Sequence, residues 1–309
     1  MQSIPYLLPG LGILLGLLVG SFLNVVIYRL PVMLDREWRQ QCAALLADPA
    51  GAPPLQADTR AAPQASSEGD SEAFDLIRPR SACPSCKTPI KARHNLPVLG
   101  WLWLRGRCAA CQAAIPARYP VVEAGTGLLS GFVVWTFGFS PEAMAALLLT
   151  WSLIALAVID LDHHLLPDAI TLPLLWAGLL FHLVFGPHAA TSSFANLTDG
   201  VIGAIAGYLS LWLVFHGFRL VTGKEGMGYG DFKLFAALGA WLGWQMLPLI
   251  ILLSALTGAI TGISLIALGR HARQAPIPFG PYLAAAGFVA LVWGLPLIGA
   301  YLRTALPRG

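Results

Sequence analysis

The chain has 309 residues, of which 56% are hydrophobic and only 11% charged, and its mean hydropathy is +0.68. Soluble domains carry about 25% charged residues, so composition excludes a soluble globular protein and points to an integral membrane protein. The net charge of +3 decides little, but its distribution does: 12 of the 19 Lys and Arg fall from Arg29 to Arg118, and none between Arg118 and Arg219.

Residues 8–28 form the first apolar segment, about 20 residues and long enough to span a bilayer. No basic stretch precedes it and no small-residue cleavage site follows, so it reads as a membrane helix rather than a signal peptide. Arg29 follows directly, which places the N-terminus outside and residue 29 in the cytoplasm. Within the segment, Gly20, Ser21 and Asn24 put small and polar groups on one helix face. That pattern suits helix packing and an Asn hydrogen bond.

The domain boundaries follow composition. Residues 1–31 make the first transmembrane helix, and 32–118 make a cytoplasmic module. Inside the module, about 47–75 is rich in Ala, Pro, Ser and acids and reads as a disordered insertion. Arg36 to Leu46 reads as a short surface helix with a free thiol at Cys42. In 81–118, Cys83-Pro84-Ser85-Cys86 is followed after 21 residues by Cys108-Ala109-Ala110-Cys111. Two such pairs present four thiolates for a tetrahedral, closed and therefore structural zinc site. Between them lie Lys87, Lys91, Arg93, His94, Arg105 and Arg107, with Trp101 and Trp103. This surface suits anionic headgroups or an anionic cofactor.

Seven more apolar segments follow, near 119–138, 142–160, 168–186, 199–221, 232–247, 248–268 and 280–302, within a domain of 119–303 and a tail of 304–309. The fold class is therefore all-α and polytopic, with about eight transmembrane helices and a small zinc-ribbon-like module inserted after the first. Loops near 160–168, 219–233 and 269–279 fall inside, and those near 138–142, 187–198 and 244–248, without Lys or Arg, fall outside. Arg303 and Arg308 run against an external C-terminus.

This topology brings two acids to one level. Gly226-Met227-Gly228-Tyr229-Gly230-Asp231-Phe232-Lys233 leads an acid into an apolar run, and Asp160 closes another. An ionisable residue against a membrane segment is a functional candidate by default. Two facing carboxylates could hydrolyse a peptide bond, one deprotonating a water and the other protonating the carbonyl, without metal or covalent nucleophile. The plainer alternatives are a helix cap for Asp231 and capping or surface roles for Asp162 and Asp168. A transporter or channel using the acids as an ion site is the rival from another class.

Taken together, Gly20 to Pro31, the two cysteine pairs, Ile159-Asp160 with Leu166-Pro167-Asp168, Gly228 to Lys233, and Pro276 to Pro281 resemble bacterial type IV prepilin peptidases. These are bifunctional leader peptidase/N-methyltransferases of type IV pilus and type II secretion systems, with a G-x-G-D element shared by other intramembrane aspartic proteases. The resemblance implies a multi-pass protein of the bacterial inner membrane, with module and active site cytoplasmic and N-terminus periplasmic. It would cleave the basic leader of prepilins and pseudopilins after a glycine, then methylate the new N-terminus with S-adenosylmethionine. Nucleic acid is not an expected partner. Asp160 and Asp231 map onto the catalytic pair, Asp160 standing seven residues before Pro167 as the family pattern requires. Gly228, Gly230, Lys233 and Asn24 are candidates for substrate contact or support, and Glu225 for tuning the pair. No G-x-G-x-x-G element is present; His94, Asn95, Arg118, Tyr119 and Glu123 are candidates for the cofactor, with an Arg118–Glu123 ion pair as the structural alternative. A peptidase without methyltransferase activity is the second rival, disfavoured by the intact cysteine tetrad.

Overall fold

The structure is a computed structural model that describes residues 7–47, 74–186, 194–224, 227–268 and 278–305. Most of the 47–75 insertion lies outside these residues, as do Glu225, Gly226, Pro276 and Ile277. The described residues form nine α-helices and no strand: α1 (Leu7–Ala47), α2 (Leu99–Trp103), α3 (Arg118–Phe137), α4 (Pro141–His163), α5 (Asp168–Phe185), α6 (Leu197–Thr222), α7 (Tyr229–Leu242), α8 (Leu247–Ala267) and α9 (Gly280–Ala305). Seven helices, all but α2 and α7, belong to segments long and apolar enough to cross a membrane.

Helix α1 departs from the sequence expectation. The span ending at residue 28 and the surface helix from Arg36 are one continuous helix of 41 residues that runs through Pro31. Hydropathy falls at Arg29, but Arg29 is buried and its guanidinium donates to the carbonyls of Asp75 (2.8 Å) and Pro79 (2.6 Å). The charge is satisfied by the module, so it does not end the helix. Inside the bilayer α1 packs along α3. A Cβ at Gly12, Gly16 or Gly20 would strike Val134, Ser130 or Glu123, so small residues at four-residue spacing let the two backbones approach. The packing reading of Gly20 therefore holds.

Helix α7 is the other departure. The expected span of 232–247 is a helix of only 14 residues, ended by Gly243 at φ 82°. A further turn at Trp244–Met246 leads into α8. At about 1.5 Å per residue α7 is about 21 Å long, short of the roughly 30 Å hydrocarbon layer. It is instead the buried centre of the bundle, with Phe232, Leu234, Phe235, Leu238 and Trp241 almost wholly enclosed. Its last carbonyls end among protein and need internal partners. His182 of α5 supplies them, with Nε2 at 3.1 Å from both Ala240 O and Trp241 O. The Trp241 indole in turn donates to Leu174 O at 2.9 Å.

Connectivity fixes the sides. The module joins the end of α1 to the start of α3; the antiparallel succession then brings the end of α4, the starts of α5, α7 and α9, and the ends of α6 and α8 to that same side. Contacts at this level agree: Arg118, first in α3, pairs with Asp162 near the end of α4.

Candidate active site and metal centre

Asp160 lies three residues before the end of α4 and Asp231 in the first turn of α7. Both are buried, 6% and 7% exposed, and their carboxyl groups are close enough to interact. Asp160 Oδ2 accepts the Gly280 amide at 3.0 Å. Among the described residues Asp231 Oδ1 is buried without a hydrogen-bond partner, a costly arrangement for a carboxylate unless a ligand or reactant completes it. The α4–α5 connection closes the site: Leu166 lies against both Gly230 and Gly280.

Two glycines are explained by close approach. A Cβ at Gly230 would sit 2.7 Å from Leu166 Cβ, and one at Gly280 would sit 2.6 Å from Asp160 Oδ2. Gly228 is different. It caps α7 with an ordinary extended backbone (φ −80°, ψ 147°), and the nearest atom to its added Cβ is Asp231 Oδ2 at 3.7 Å. Gly280 and Leu166 were quoted in the motifs but not assigned to the site. Gly280 is 120 residues from Asp160, and only the shared side of their helices could have hinted at the contact.

The remaining acids are engaged elsewhere. Asp162 pairs with Arg118. Asp168 is the first residue of α5, as Pro167-Asp168 suggested, and takes both its oxygens to Lys233 Nζ at 2.7 Å. Lys233 thus ties α7 to α5 instead of reaching the Asp pair. The alternative Arg118–Glu123 ion pair is not formed. Arg118 turns to Asp162, and Glu123 Oε2 accepts the Val98 amide at 2.7 Å. Glu123 also interacts with the side chains of Ser21 and Asn24, and Asn24 Nδ2 donates to Tyr119 O at 3.1 Å.

The proposed cofactor residues lie in the module and at its junction with the membrane helices. Glu123, Asn24 and Tyr119 meet where α1, α3 and the module join. Asn95 lines a cleft of about 670 Å³ with Arg80, Ser81, Thr88 and Lys91. His94 lies in the turn Ala92–Asn95, its carbonyl packed under Gly100.

The four cysteines do converge. Each pair sits in a loop of the same construction. Cys83 N donates to Thr88 O and Lys87 N to Cys83 O; Cys108 N donates to Ala113 O and Gln112 N to Cys108 O. Lys87 (φ 57°) and Gln112 (φ 59°) take the left-handed turn after the second cysteine. Isolated bridges Ala82–Pro89 and Arg107–Ala114 close the loops. All four Sγ atoms lie within 4.8 Å of one another, with Cys83–Cys111 at 3.7 Å and Cys86–Cys108 at 4.0 Å. Tetrahedral zinc with bonds of about 2.3 Å requires sulfurs about 3.8 Å apart, so the tetrad fits zinc. Hydrogen bonds from the Thr88 hydroxyl and amide hold the Cys86 thiol down to about 6, which favours the ligating thiolate.

Comparison with known proteins follows this geometry. Residues 14–137 match the Bacterial Peptidase A24 N-terminal domain, and residues 147–263 match the Type IV leader peptidase family. The chain is 54% identical over 305 residues to a prepilin leader peptidase/N-methyltransferase of Aeromonas salmonicida, covering 99% of this chain and 97% of the relative. It is 52% identical to that of Stutzerimonas stutzeri (95% and 93% covered) and 43% identical to that of Legionella pneumophila (96% and 94%). No solved structure matches. The two domain matches and the full-length similarity together establish that the chain belongs to the type IV leader peptidase family.

Proposed function

We propose that this protein is a bifunctional membrane enzyme that cleaves the leader of prepilins and pseudopilins and then methylates the new N-terminus. The observation that carries the peptidase half is the buried pair Asp160 and Asp231, brought from two helices to the module side. In the proposed reaction one carboxylate takes a proton from water while the other gives a proton to the scissile carbonyl. Gly280 N–H fixes the rotamer of Asp160, and the unpartnered Asp231 Oδ1 is the acceptor left for water or substrate. A prepilin helix would lie in the bilayer beside the bundle with its basic leader in the cytoplasm. The scissile bond would then stand at the level of the pair. This orientation puts the N-terminus in the periplasm of an inner-membrane protein.

Zinc, held by Cys83, Cys86, Cys108 and Cys111, would serve the module's fold, since four thiolates leave no open coordination position. S-adenosylmethionine is the proposed methyl donor. The transporter alternative is disfavoured because both acids lie at one end of the bundle rather than at its midplane.

The test is incubation of the purified zinc-loaded enzyme with a peptide carrying a basic leader, a glycine and an apolar segment, with and without S-adenosylmethionine. Mass spectrometry of the product should show cleavage in both conditions and one added methyl group only with the donor. Cleavage without methylation would leave the peptidase-only reading, and no cleavage by folded enzyme would overturn the proposal.

A further inference from the structure

The short helix α2 is not explained by the peptidase site or by the zinc tetrad. Its central residue Trp101 points into the module and donates from Nε1 to Ile115 O at 3.1 Å. Leu99, Leu102 and Trp103 do the opposite and are 62%, 57% and 70% exposed. Three large apolar side chains on a five-residue helix make a patch that a water-facing module would not keep.

Its height relative to the membrane helices can be read from the hydrogen bonds. Val98, immediately before α2, donates to Glu123 of α3, which lies about 7.5 Å along the helix axis from Arg118. A helical side chain leans toward its own N-terminus, so the bond places Val98 at the level of the first turns of α3. Val121, in that same stretch, is exposed among the described residues, as a lipid-facing side chain of a membrane helix would be. Helix α2 therefore starts at the depth where the bilayer starts. Val98 holds φ 60°, which is strained for a β-branched residue and turns the chain into α2.

Charge agrees with depth. In the stretch 74–118 the only acid is Asp75, against Arg78, Arg80, Lys87, Lys91, Arg93, Arg105, Arg107 and Arg118. Arg105 and Arg107 follow α2 directly and are exposed. Apolar side chains with Trp at their edge and cations behind them are the pattern of an interfacial membrane segment. Cations near an anionic leaflet are attracted to its headgroups.

We infer that α2 is a membrane-interface anchor: Leu99, Leu102 and Trp103 enter the outer acyl boundary of the module-side leaflet, and the surrounding Arg and Lys rest on anionic phospholipid headgroups. The anchor holds the module flat against the bilayer beside the Asp pair. This inference rests on the multi-pass architecture and not on the chemistry proposed above.

The test uses the unaltered, zinc-loaded protein at one copy per nanodisc, which removes a second copy as the cover. Hydroxyl-radical footprinting compares Trp103 with Trp135, exposed on membrane helix α3, and with Trp38, exposed on α1 beyond Arg29. In discs containing phosphatidylglycerol, Trp103 is expected to oxidise several-fold more slowly than Trp38 and at the rate of Trp135. In purely zwitterionic discs its oxidation should rise. Oxidation of Trp103 as fast as Trp38 in the anionic discs would overturn the anchor. Equal protection in both lipids would overturn the role of anionic headgroups.

Discussion

Replacing Gly280 by Ala tests the site where it is tightest. The added methyl would stand 2.6 Å from Asp160 Oδ2, 3.1 Å from its Cγ and 3.2 Å from Leu166 Cδ2, whereas ordinary contact begins at 3.4 Å. The carboxylate must therefore retreat by about 0.8 Å, and the 3.0 Å hydrogen bond from Gly280 N–H is stretched as it goes. Displacement of a catalytic group by about 1 Å costs about 10²-fold, or about 2.7 kcal/mol of barrier. We expect kcat/KM for leader cleavage to fall about a hundredfold in Gly280→Ala, mostly in kcat because the defect is in the reacting groups. The assay is peptide cleavage in detergent with thermal melting of the same samples, so that lost fold and lost geometry are told apart. Gly228→Ala is the matched control, since its methyl meets only an ordinary 3.7 Å contact, and it should cleave at nearly the wild-type rate. A Gly280→Ala enzyme that cleaves like wild type would refute the reasoning that Gly280 sets the position of Asp160.

Other expectations concern residues around the pair. Asp162→Asn and Lys233→Met remove partly exposed ion pairs, each worth about 0–1 kcal/mol; cleavage should stay within about fivefold of wild type, and complete loss at Asp162 would reassign the catalytic acid. His182→Leu removes the ring that caps the Ala240 and Trp241 carbonyls, leaving Trp241 O with the Ala195 amide alone. We expect a loss of about 1–3 kcal/mol, seen as a lower melting temperature, with partial recovery in His182→Gln; an unchanged melt would show that α7 needs no such cap. Cys83→Ser and Cys108→Ser should lower zinc content, measured by elemental analysis, and reduce methylation more than cleavage. Equal loss of both activities would mean the module also supports the protease. Zinc binding requires thiolates and releases protons, so wild-type zinc affinity should fall as pH is lowered. Cys86, with its thiol at about 6, should be among the last ligands to take up a proton, and a pH-independent affinity would contradict a thiolate site.

Much of the site was legible because charge placement along a membrane chain is a topological signal. Arg219, Lys224 and Lys233 mark the Asp231 loop as internal, and counting alternate spans from it put Asp160, whose own loop has no Lys or Arg, on the same side before any contact was known. Cysteine spacing likewise implied the tetrad, because each C-x-x-C is a self-contained turn. Contacts between distant segments were not legible. Gly280 meets Asp160 across 120 residues, and nothing local to either announces it. Hydropathy also misjudged α1 and α7 for opposite reasons. Arg29 looks like a membrane boundary, but its guanidinium is hydrogen-bonded by module carbonyls. Residues 232–247 look like a full span, but the short α7 can end early because His182 caps it from another helix. Both depend on tertiary partners that a window of sequence does not contain.

The central claim is that Asp160 and Asp231 act as one hydrolytic pair. The most direct measurement is leader-peptide cleavage by purified Asp160→Asn and Asp231→Asn enzymes beside wild type, with zinc content and melting temperature confirming that each variant is folded. Abolished cleavage in both, with zinc and fold retained, is the predicted result. Cleavage that persists in either folded variant would contradict the pair.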